Sequence, residues 1–151
     1  MNLTPNFTLE EMTSSETATR HGIANTPNPK QITALKALCE NVLEPLRARL
    51  GTPIHVTSGY RNPIVNSLIH GSDSSQHMKG EAADIKVSGM NAQQLFDFIL
   101  ASNIPFDQII QEYNKWVHIS YSVRRQRRSI LYAVKNSDGS TSFKRKSPFN
   151  L

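Results

Sequence analysis

In the first third of the chain, apolar residues recur at helical spacing and polar residues fill the gaps. Ile32, Leu35, Leu38, Val42 and Leu46 fall on one face, which predicts a helix over that span, with Gly51 as its C-terminal cap. Pro45 lies inside the pattern and predicts a kink, because proline removes a backbone donor and crowds the preceding turn. Upstream, Thr8-Leu-Glu-Glu11 has the form of a capping box and predicts a short helix ending near the polar stretch 14–22. A proline-marked loop, residues 25–30, leads into the longer helix.

Past residue 52 the period shortens to two. Residues 53–58 (PIHVTS) alternate as a strand, and Asn62-Pro63 opens a short helix through Leu68. GSDSS, 71–75, reads as a flexible loop. AADIKV, 82–87, reads as a buried strand, and Asn91 caps a helix through 92–102. Residues 106–112 and 115–121 predict paired strands around a short turn. Residues 130–135 and 140–146 flank Asn136-Ser-Asp-Gly139 and predict a second hairpin. Helices come first and a mostly antiparallel sheet follows. The expected fold is therefore α+β, with N-terminal helices packed on that sheet. No repeat or linker divides the chain, so the expectation is one domain over 1–151 with a basic C-terminal β-hairpin extension at about 122–151.

Composition narrows the function classes. The chain has 38% hydrophobic and 19% charged residues, ordinary for a globular protein. It contains no run near the ~18 apolar residues a membrane span needs. The N-terminus, MNLTPNFTLEEM, lacks the basic-then-apolar pattern of a secretory signal. The expectation is a protein that is cytoplasmic on synthesis and reaches any external target only after release or delivery. The single cysteine, Cys39, excludes an internal disulfide and a cysteine-based zinc site, and it reads as a small core residue. The net charge of +5 is concentrated in VRRQRRS (123–129) and FKRKS (143–147). Such a tail suits anionic wall polymers or other polyanions, or simply a solvated surface. Nucleic acid is the weakest of these partners, since no nucleic-acid motif accompanies the charges.

The chemistry begins at SQHMKGEAADI, 75–85. His77 and Asp84 are seven residues apart, whereas partners that touch on a helix are three or four apart, and the spacing does not suit a tight turn. A metal ion held between a loop histidine and a strand aspartate would explain the pair. His118, in mid-strand in WVHISY, is a third ligand of the right kind; its alternative is a hydrogen-bonded core histidine. Three nitrogen and oxygen ligands with a fourth position left for water suit a catalytic zinc.

SGYR (58–61), SQHMKGEAADI (75–85) and WVHIS (116–120), in this order, resemble the zinc-dependent M15 peptidases, a family of Hedgehog/DD-peptidase-like fold. It includes D-Ala-D-Ala carboxypeptidases and phage endolysins that cut peptidoglycan stem peptides. Its short phage and bacteroidete-type members are the most similar, over roughly residues 5 to 121. The resemblance implies one zinc per chain held by His77, Asp84 and His118, and Arg61 beside the metal to hold a substrate carboxylate or developing oxyanion. It further implies that Ser75 contacts substrate or supports the loop, that Gly80 permits a close backbone approach, and that Trp116 borders the substrate.

One departure concerns the general base. Many M15 enzymes place an acidic residue three positions before the last zinc histidine, where this chain has Lys115. Glu112 is the nearest replacement and Glu81 a second candidate. A three-residue turn (Tyr113, Asn114, Lys115) would pair Glu112 with Trp116 and put it on the His118 face; a two-residue turn would put it on the other face. The reading that follows is a zinc metallopeptidase acting on peptidoglycan stem peptides, in cell wall lysis or remodelling. The alternative, which Lys115 favours, is a non-catalytic zinc-stabilised binding or virion-structural module on the same scaffold.

Overall fold

The computed structural model describes residues 1–146, so the last five positions of the expected C-terminal extension lie outside the described residues. A small two-stranded ribbon, β1 (Asn2–Thr4) and β2 (Phe7–Thr8), precedes the helices. The capping box at Thr8 and Glu11 forms and starts α1 (Leu9–Thr13). Ser15 then caps a second short helix, α2 (Glu16–Arg20), where the sequence pattern predicted only a polar exit.

α3 (Pro29–Leu38) starts at Asn28, whose side chain and that of Gln31 cap each other's backbone. Pro45 does not act through the simple kink its position suggested. The helix runs on through a π turn, Cys39–Leu43, into α4 (Glu44–Leu50), with Glu44 N–H bonded to the Cys39 carbonyl. Pro45 is the second residue of α4, and the π turn just before it absorbs the irregularity of its missing N–H. Gly51 ends α4 in the left-handed conformation. Cys39 is fully buried within this turn, and burial pushes its thiol up to about 12, which leaves it inert at neutral pH.

The main sheet has six strands: β3 (His55–Ser58), β4 (Ala82–Lys86), β5 (Gln108–Glu112), β6 (Trp116–Ser120), β7 (Ser129–Lys135) and β8 (Thr141–Arg145). Their spatial order is β3-β4-β6-β5-β7-β8. All neighbours are antiparallel except β5 and β7, so the sheet is mostly antiparallel and the fold α+β. The predicted second hairpin therefore continues the sheet, with β7 laid parallel beside β5.

Alternation along the central strands divides the sheet into two faces. Ala83, Ile85, Val117, Ile119 and Ile109 join the apolar core with Leu35, Leu38 and Leu46 of the N-terminal helices and with Leu95, Phe96 and Ile99 of α6 (Ala92–Ala101). Asp84, His118 and Glu112 belong to the other set of alternating positions. That second face carries the chemistry. It is approached by the 3₁₀ turn Gln76–Lys79, while α5 (Pro63–Leu68) packs against α2.

Candidate active site

His77 does not sit on a flexible loop, as its serine-rich lead-in suggested; it lies in the 3₁₀ turn, 1% exposed. Ser75 caps that turn by accepting a hydrogen bond from His77 N–H (3.2 Å). Gly80 closes it at φ +73°, where a Cβ would stand 2.5 Å from the Gln31 carbonyl oxygen of α3, so any side chain would push the turn off the helix. Gly59 is equally constrained: a Cβ there would meet the Met12 carbonyl oxygen at 2.2 Å. That close passage brings the Gly59 carbonyl to His77, which donates to it from Nδ1 (2.7 Å). The bond commits the Nδ1 proton and leaves Nε2 as a free lone pair pointing inward.

The lone pair meets two others. His77 Nε2 is 3.3 Å from Asp84 Oδ1, and His118 Nδ1 is 3.2 Å from that same oxygen. The two ring nitrogens are 3.2 Å apart. Strand pairing explains the closeness, because Asp84 and His118 are direct partners across β4 and β6. Burial works to raise the Asp84 carboxyl, but the charge and hydrogen bonds of His77 and His118 hold it well below the ordinary carboxylate range. Burial also depresses the His77 imidazole, against the pull of Asp84, and favours its neutral, ligating form. With the His118 Nδ1 proton released, three buried ligand atoms converge on one point, an arrangement that could hold a cation. His77, Asp84 and His118 fit a metal by donor type, burial and mutual distance.

Around this cluster stand Glu112 and Arg61. Tyr113 and Asn114 both adopt positive φ, 58° and 54°, and Lys115 N–H bonds to the Glu112 carbonyl, as in a type I′ turn. The connection spans three residues and pairs Glu112 with Trp116. Glu112 therefore shares the His118 face, its Oε1 lying 3.9 Å from His118 Nδ1. Burial and the Asp84 charge push its carboxyl up to about 6, while His118 and Arg61 oppose the shift. Lys115, at the position where relatives carry acid, is exposed in the turn. Glu81 is engaged with the Gln76 side-chain amide (3.3 Å) at the far end of the ligand turn.

Arg61 is tied to the site by its backbone, which donates to the His77 carbonyl (3.1 Å). Burial lowers its guanidinium's pKa, while Asp84 and Glu112 counteract this. Arg61 Nε is a buried donor without a hydrogen-bond partner, while Trp116 Nε1 lies toward the Glu112 carboxylate without a well-formed bond to it. The sequence points to both residues as substrate neighbours. It does not point to the Gly59 carbonyl or the Gln76 amide. Both lie inside SGYR and SQHM, yet a backbone acceptor leaves no side-chain signature and a glutamine has many uses.

The profile of the Peptidase M15 family matches residues 5–120. The chain belongs to the M15 peptidase family. The match contains the ligand turn, β4, β5 and β6, and thus the whole cluster just described. It stops before the arginine-rich segment and the β7–β8 hairpin. No curated protein matches the chain. This M15 protein thus pairs the family's peptidase framework with a His-Asp-His group able to hold a metal.

Proposed function

We propose that this M15 protein is a zinc-dependent hydrolase of peptidoglycan stem peptides, working as a D-Ala-D-Ala carboxypeptidase or an endolysin-type endopeptidase. The observation that carries the reading is Glu112 standing beside the His77–Asp84–His118 cluster, on the same sheet face. Those three side chains would hold the zinc, which when bound would supply Lewis acidity. Glu112 does the proton work. Burial raises its carboxyl in the metal-free protein, which makes it basic enough to take a proton from the attacking water and return it to the leaving amine.

Arg61 and Trp116 supply binding. An unpaired buried donor costs about 1–3 kcal/mol, so Arg61 Nε is primed for an acceptor on a ligand. Short peptides bearing a terminal carboxylate and amide carbonyls offer such acceptors. A guanidinium suits the carboxylate in particular, because its fork can hold both oxygens. The basic surface beyond residue 122 supports a second contact, with anionic wall polymers, and a site of action at the cell wall after release or delivery.

The test is incubation of the protein with purified peptidoglycan, with and without chelator, followed by mass spectrometry of the new termini. Chelator-sensitive release of D-Ala or of cut stem peptides is the expected result. Intact peptidoglycan after incubation with zinc-loaded protein would sink the substrate assignment.

A further inference from the structure

Asp107 is 0% exposed and lies just before β5, outside the cluster described above. Its carboxylate is almost fully occupied. Arg127 donates to Oδ1 from its backbone N–H and from Nε, both at 2.9 Å, and to Oδ2 from Nη2 at 2.8 Å. The remaining close donor is Gln76 Nε2, 3.0 Å from Oδ2. Gln76 is itself buried and immediately precedes His77 in the ligand turn. Asp107 also anchors the backbone locally: its N–H bonds to the Ser120 carbonyl, and its own carbonyl accepts from Ser129 N–H. A segment beyond the residues the family profile matches is thus fastened to the turn that carries a metal ligand.

We propose that Arg127 and Asp107 are positioning residues for the His77 turn, acting through Gln76. The proposal rests on the metal-centre reading above. The turn is gripped from two sides. On one, the Gln31 side-chain amide of α3 donates to the Met78 carbonyl (3.1 Å); on the other, Gln76 reaches Asp107. A two-point fork from Arg127 aims the carboxylate, and a carboxylate with fixed oxygens holds Gln76 in one rotamer. Gln76 in turn sets the turn against Gly59, whose carbonyl decides which His77 nitrogen carries the proton. Loosening Arg127 frees the turn without touching any ligand side chain.

The experiment compares the parent with Arg127→Ala and Arg127→Lys; the lysine variant keeps the charge but loses the fork. Cobalt(II) titration reads metal affinity and the visible ligand-field spectrum. Long-range ¹H–¹⁵N NMR of the metal-free proteins reads the His77 tautomer. Arg127→Ala is expected to bind cobalt about tenfold more weakly, the low end of what partners of ligand side chains contribute. It should also shift His77 from a single Nδ1–H tautomer to a mixture, with Arg127→Lys intermediate. If the alanine variant does not fold, the lysine variant reads the same two quantities. A lowered melting temperature with unchanged cobalt affinity, spectrum and tautomer would overturn the proposal and leave Arg127 as fold support only. A parent that binds no cobalt would end the metal-centre reading, while the tautomer comparison would still decide the positioning role.

Discussion

Glu112 and His118 stand on adjacent antiparallel strands and face the same side of the sheet, with the carboxylate oxygen 3.9 Å from the ring nitrogen. Their relationship depends on the turn between them. One residue fewer between Glu112 and Trp116 would reverse the alternation and send the carboxylate to the core face. Tyr113 and Asn114 hold left-handed conformations to make that turn, and for tyrosine this stores strain at the edge of the site.

The metal is the first thing to test. The protein should bind one zinc, with ligand distances near ~2.0–2.2 Å. Asp84→Asn and His118→Ala should each abolish stoichiometric binding, measured by elemental analysis after dialysis. Zinc bound to the native state alone should raise the melting temperature, and chelator should reverse the rise.

Glu112→Gln keeps the size of the side chain but cannot accept a proton at neutral pH. Turnover of a stem peptide should fall by about 10²–10⁴-fold with zinc still bound. Adding Lys115→Glu should not restore it, because position 115 is exposed in the turn. Undiminished turnover in the single variant would remove Glu112 from the mechanism.

The same substitution should stabilise the metal-free protein. Glu112 is raised to about 6 in the folded state, above the ordinary glutamate value of about 4.3. Between those values the native state keeps a proton that the unfolded chain has released. The contribution of this group to stability therefore declines as pH rises through the window. Glutamine has no such dependence. In urea denaturation, parent and variant should match at pH 4 and diverge by about 2 kcal/mol at pH 7, in favour of the variant. A constant difference across that range would show that Glu112 titrates normally.

The four arginines of RRQRR should not behave as one basic patch. Arg127 is bonded to Asp107, and Arg128 lies over the Phe106 ring at 4.2 Å while donating to the Ile104 carbonyl. Arg124 is exposed, and Arg125 makes only a long contact with Asp107, 3.7 Å. Replacing Arg124 and Arg125 with Ser should weaken sedimentation with purified cell walls, more visibly at low salt, with little change in melting temperature. Replacing Arg128 with Ser should lower the melting temperature. Equal effects of the two substitutions on wall binding and on stability would contradict this division.

Much of the site could be read locally. His77 and Asp84 sit in one short motif, and His118 betrays itself as a polar ring between Val117 and Ile119. The caps at Thr8, Asn62 and Asn91 were legible for the same reason: a capping side chain bonds to a backbone group two or three residues away, within the window that sequence patterns describe. Only the tertiary structure decided that β7 lies parallel beside β5, that the Gly59 carbonyl sets the His77 tautomer, and that the guanidinium of Arg127 is forked onto Asp107. Each of these joins residues 18 to 21 positions apart. The partner is then chosen by which buried donors and acceptors remain unpaired once the strands have met, and a linear pattern of polar and apolar residues does not encode that remainder.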